Sequence, residues 1–300
     1  MRSLFHLHPR RILSASLLAS LAALLCACAA TTRPADPSRP RGAGDQPYPI
    51  ILAADPEREE LALAAWTNML GAANAEARPT PELRPVTATL TALPANLPAF
   101  PQMPRVIIKD EQEQSEEETR ESLRRFIESV GPLLGVASGE LSLVEITGVA
   151  GGARRARYRQ APFRFPLRNG YGDLEVTFTP DLRVTGLSST AIPDTERLRA
   201  AIASFRGQRL TAEKAVATLT ERVVTYTDAA GNQQTRTVAA TGDATARELV
   251  VFPIRREGEE PALELHLAWE IYLGAQGPPL LVYVDALTGE QLAATTANGA

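Results

Sequence analysis

The run from Leu263 to Leu273 constrains this chain more than any other stretch. Leu263, Leu265, Leu267, Trp269, Ile271 and Leu273 alternate with Glu264, His266, Glu270 and Tyr272, and successive residues of a strand point to opposite faces of a sheet. Wound as a helix, the segment would spread charge around every face. It predicts a long strand with one core face and one face for solvent or a partner. A strand of that length needs neighbours, and Glu248 to Ile254, Leu280 to Val284 and Glu290 to Ala294 supply them. Asp285-Ala-Leu-Thr-Gly289 reads as the tight turn between the last two, with Gly289 at positive φ.

The same order of elements is found upstream. Ser115 and Glu118 form a capping box ahead of Leu123, Phe126, Ile127 and Val130 at helical spacing, and Gly131-Pro132 stops the run. Strands are expected over Glu140–Thr147, Arg155–Gln160, Leu174–Thr179 and Leu182–Leu187, with Gly148, Gly151 and Gly152 in a hairpin turn. A connecting helix starts at Asp194 and carries Leu198, Ala201, Ile202 and Phe205 on one face. Thr211 then caps a further helix with Val216, Leu219 and Val223. Asp173–Asp181 and Pro279–Asp285 share a layout. The expected fold class is α+β: two modules in tandem, 113–193 and 208–296, each a helix on an antiparallel sheet and joined by a helix over 194–207.

The N-terminal third is different. Arg2, Arg10 and Arg11 precede an apolar stretch from Ile12 to Leu25 and the small residues of Cys26-Ala-Cys28-Ala-Ala, the pattern of a secretory signal over 1–27. The apolar run is shorter than the roughly 20 residues of a spanning helix. Thr31 to Gln46 is Pro, Arg, Gly and Asp with almost no large apolar residue, so 28–47 is expected to be a flexible tether. Over 48–112 the reading is a short helix, with Asp55 as N-cap, Pro56 at its first position, Leu61, Ala65, Trp66, Met69 and Leu70 apolar, and Gly71 as stop. A Pro-rich run from Arg78 to Arg105 follows, expected to be a linker or an extended edge.

Three resemblances rest on these residues. Leu25-Cys-Ala27-Cys28 resembles the lipobox of bacterial lipoproteins, which implies cleavage after Ala27 and diacylglycerol attachment at Cys28; cleavage after Ala29 or Ala30, releasing a soluble protein, is the alternative. Arg157–Pro166 followed by Tyr171–Val176 resembles the strand pair of the propeptide domain in fungalysin and thermolysin precursors. Leu267–Tyr272 with Val282–Glu290 resembles the PepSY domain that follows it there. The resemblance spans about Glu113 to Thr296 and implies cystatin-like modules that inhibit a protease and assist its folding. No protease follows in this chain, so the client and the inhibitory role are left open.

Composition narrows the chemistry. Of 31 basic and 35 acidic side chains three arginines fall in the signal, leaving 28 against 35, and clustered positive charge for nucleic acid is lacking. Of three histidines, His6 and His8 are in the signal, so a His-Glu-x-x-His zinc helix cannot form and His266 reads as a solvent-face residue. Beyond Cys28 there is no thiol. Glu264 and Glu270 read as a solvated face. Arg157, Arg159, Gln160, Phe163 and Phe165 present residue types enriched at protein interfaces and are the expected protein-binding residues. No catalytic residue, metal or cofactor is expected. The function expected is a membrane-anchored, non-catalytic envelope lipoprotein that binds another protein by inhibiting or chaperoning an exported peptidase. The alternative is a scaffold of an envelope assembly. Ala29, which is not Asp, favours the outer membrane facing the periplasm.

Overall fold

Alternation along the strands decides where the two sheets bury their faces. The computed structural model describes residues 48–73, 79–107, 115–161, 165–228, 230–239, 242–258, 260–275 and 277–297. In chain order the elements are β1 (Ile50–Ala53), α1 (Pro56–Ala72), α2 (Glu116–Ser129), the single turn α3 (Gly131–Leu134), β2 (Leu141–Gly148), β3 (Arg154–Gln160), β4 (Asp173–Phe178), β5 (Val184–Ser189), α4 (Thr195–Ser204), α5 (Ala212–Ala217), β6 (Val223–Thr227), β7 (Gln233–Thr237), β8 (Ala244–Arg256), β9 (Ala262–Leu273), β10 (Leu280–Asp285) and β11 (Gln291–Thr296). The chain is α+β.

Strands β2-β3-β4-β5 form a four-stranded antiparallel sheet. Ala156, Tyr158, Leu174, Val176 and Phe178 face inward from it against Leu123, Phe126 and Ile127 of α2 and Trp66, Met69 and Leu70 of α1. The capping box that starts α2 is present in both directions, Ser115 Oγ accepting from Glu118 N and Glu118 Oε2 from Ser115 N. At the end of α3, Gly135 adopts φ +69 and a Cβ there would meet Thr89 Cγ2 at 2.5 Å, so a glycine is needed for both reasons.

The second sheet is seven-stranded, with β9 pairing three strands, β8 on one edge and β1 and β10 on the other, and with one parallel pair, β6 with β11. Its core face packs Leu263, Leu265 and Leu267 against Leu198, Ile202 and Phe205 of the connecting helix α4. Further along, Ile271, Leu273, Val282 and Val284 pack against Ala215 of α5 and Leu219. β8 pairs with β9 along its whole length, from Leu273 to Ala262. On the other edge of β9, β1 pairs over 262–265 and β10 over 268–273. These two short strands therefore lie end to end, meeting at His266 and Leu267.

The Pro-rich run lies along the outer edge of β5. Leu93 N, Met103 N and Val184 N donate to Leu187 O, Leu182 O and Pro101 O at 2.8, 2.9 and 2.8 Å, and Ser189 N donates to Leu90 O at 2.9 Å. Leu90, Leu93, Leu97 and Met103 are buried in the first core. The prolines exclude helix and hold the chain extended, while the apolar residues between them seat it. Strands β1, β6 and β7 were not expected. Val223, assigned by spacing to a helix face, opens β6 instead and is 61% exposed; the helix ends at Ala217 because the chain turns through Leu219 into the sheet.

Candidate functional site

The junction where β1 meets β10 holds a buried polar cluster. Asp285, the last residue of β10, is buried and accepts four hydrogen bonds. Oδ1 takes the amides of Leu287 and Thr288 at 2.8 and 2.9 Å, which fixes the turn, and Gly289 there has φ +75. Oδ2 takes Tyr48 Oη at 2.6 Å and pairs with His266 Nδ1 at 2.7 Å. Burial opposes ionisation of Asp285, but the bonds from His266, Tyr48 and the two amides outweigh it and hold its pKa below the usual carboxylate range. A carboxylate only accepts, so His266 Nδ1 carries a proton. Burial first, and the Asp285 charge second, push the Tyr48 phenol well above its ordinary value, so it stays a donor. Its oxygen also accepts from Leu267 N at 3.1 Å, replacing the strand partner that neither β1 nor β10 provides at that position.

The solvent-face reading of His266 is therefore corrected: its side chain is 11% exposed and stands edge-on to the Tyr48 ring. Nε2, the nitrogen that would activate a nucleophile, is enclosed without a hydrogen-bond partner and faces Glu264 Oε2 at 3.5 Å. Glu270 is corrected too. It is buried, with Arg168 Nε at 2.7 Å and the Tyr283 hydroxyl at 3.3 Å, and Arg168 reaches on to Glu248 at 2.7 Å. That network lies on the second face of β9, where Ala268 is small enough for Phe252 and Tyr283 to stack over it, ring centroids 4.5 Å apart. Alternation placed these residues on the right face but could not show that neighbouring side chains enclose it.

The residues expected to bind a partner do not form one surface. Arg157 and Arg159 lie on the outer face of the first sheet, and both are paired: Arg157 with Glu145 at 3.0 Å and Glu175 at 3.5 Å, Arg159 with Asp173 at 3.7 Å. Gln160 points the other way and is completely buried. Its amide donates to Ile192 O at 2.9 Å and accepts from Ile192 N at 2.8 Å, so it ties the first sheet to the connection into α4. The contact-surface reading of Gln160 fails because alternation sends it inward with Tyr158. Phe163, like Ala27 and Cys28, lies outside the described residues. Phe165 is half-buried on the second core, with the Arg209 guanidinium 5.2 Å from its ring centroid. Sequence reading missed Arg209; its spacing from Phe165 carries no signal.

Among the described residues no group of three or more His, Cys, Asp or Glu side chains is placed to hold a metal ion, and no helix is long and apolar enough to cross a membrane. No protein-family model matches the chain, and no curated protein matches it significantly. Among solved structures, the C-terminal domain of YpeB from Bacillus megaterium is similar over 82% of this chain and 99% of that one, at 10% identity with a TM-score of 0.29. An uncharacterized protein from Eubacterium rectale is similar over 62% of this chain and 58% of that one, at 12% identity with a TM-score of 0.26.

Proposed function

We propose that this chain is an exported, lipid-anchored binding protein of the cell envelope, held at Cys28, whose α+β body engages another protein without catalysing a reaction. The observation that carries the reading is the use made of His266. It is the sole histidine beyond the signal-like segment, and its imidazole bonds a structural aspartate while its other nitrogen faces Glu264. With no thiol beyond Cys28 and the one histidine held between Asp285 and Glu264, the body of the chain offers neither a cysteine nucleophile nor an uncommitted imidazole base. The lipobox-like and PepSY-like residues support export, anchoring and a peptidase-related client.

The test is capture from a solubilised envelope extract with the anchored chain as bait, followed by assay of any recovered peptidase with and without it. A reproducible partner, inhibited or protected during refolding, is the expected result. Repeated recovery of no partner overturns the reading. Tight binding to an assembly with no effect on peptidases would make the protein a scaffold.

A further inference from the structure

Among the described residues most arginines pair with a carboxylate, Arg58, Arg157, Arg168, Arg183 and Arg236 among them. Arg209 is an exception. Its half-buried guanidinium stacks over Phe165, Nη2 donates to Ile202 O at 3.1 Å, and Nε is enclosed with no acceptor. None of the carboxylates among the described residues forms an ion pair with it, and the charge that bears on it is another cation, the exposed Arg206. Burial, and then Arg206, lower its pKa below the usual arginine value.

Such an arrangement is unfavourable as it stands. A guanidinium half-removed from water beside a like charge loses hydration without a counter-charge. The end of α4 accounts for one hydrogen bond, through Ile202 O, and leaves the remaining donors of the fork. The Phe165 ring centroid lies 5.2 Å from the guanidinium carbon, and Nη1, which is neither enclosed nor bonded to a protein acceptor, leaves the terminal Nη1–Nη2 end of the fork for a carboxylate.

We propose that Arg209, stacked on Phe165 and assisted by Arg206, is the site that receives a carboxylate of the partner polypeptide, from an acidic side chain or a C-terminus. The site rests on the binding-protein reading above and deepens it. It also gives Phe165, singled out in the sequence, a defined task.

The test titrates the full mature chain, with its arginine Nε–H groups observed by NMR, using two carboxylate probes. One is an oligoglutamate with both ends blocked, and the other an acetylated oligoalanine with a free C-terminus. Blocked oligolysine and inorganic phosphate serve as controls. At least one carboxylate probe is expected to shift the Arg209 Nε–H resonance saturably, with a dissociation constant on the order of 1 mM or tighter. The probe that binds identifies the source of the carboxylate. Arg209→Gln should abolish the response, and Arg209→Lys, which keeps the charge but not the fork, should weaken it about tenfold. Should Arg209→Gln fail to fold, the exposed Arg206→Gln variant is expected to weaken binding about threefold.

A folded chain in which neither probe moves that resonance, a response to phosphate alone, or unchanged binding in the variants would overturn the site. A partner captured equally well by the Arg209→Gln chain overturns the site and leaves the binding-protein reading standing. Probe binding with no partner recovered does the reverse.

Discussion

Asp285 shows how much one side chain can organise. It closes the turn into β11, receives Tyr48 from the start of β1, and orients His266 on β9. Tyr48→Phe removes a donor to a buried carboxylate and the acceptor for Leu267 N, so unfolding in urea should show a loss of about 1–3 kcal/mol. Because the Asp285 pKa is lowered on folding, its contribution is present above the ordinary aspartate value of 3.8 and is lost as pH falls through the folded value. Stability measured from pH 2 to 6 should therefore rise with pH in this range, and Asp285→Asn should flatten part of that rise. The turn was legible in Asp285-Ala-Leu-Thr-Gly289. The cluster was not, because Tyr48 lies 237 residues away and only tertiary pairing brings it there.

At the scale of elements, local chemistry foretold most helix starts and strand positions. Ser115, Asp55 and Thr211 all cap as expected, each accepting from a backbone amide two or three residues on. Ser115→Ala should cost about 1 kcal/mol, seen as a lower urea midpoint with an unchanged slope. Elements read less well where their stability comes from a distant neighbour. β1 is four residues long and persists because Ile50 and Leu52 fill the second core beside β9. The β6–β7 hairpin has mostly exposed, polar residues, and it is seated by the burial of Val224 and Val238 and of Arg236, whose guanidinium bonds Asp243 and Pro278 O. The Pro-rich run has no periodicity of its own and takes its course from the free edge of β5.

At the scale of the molecule, the described residues fall in one compact unit, and the segment before α2 ties the two sheets together. β1 belongs to the second sheet, whereas α1, immediately after it, belongs to the first core. Val86 enters the second core, Ala88 and Leu90 the first. Arg58 on α1 pairs with Asp194 at the start of α4 at 2.9 Å. Unfolding should consequently be one cooperative event. Trp66 lies in the first core and Trp269 packs against the second, so Trp66→Phe and Trp269→Phe variants each report one sheet by fluorescence. Their urea transitions are expected to coincide; separate midpoints would show two independent modules. The sequence by itself determined the α+β class, the alternating faces and the capped helices, because these depend on residues within a few positions of one another. Only the tertiary structure decided that β1 completes the second sheet, that His266 and Glu270 are enclosed, and that Arg209 meets Phe165. Burial and charge compensation are set by what packs alongside, and those neighbours are far away along the chain.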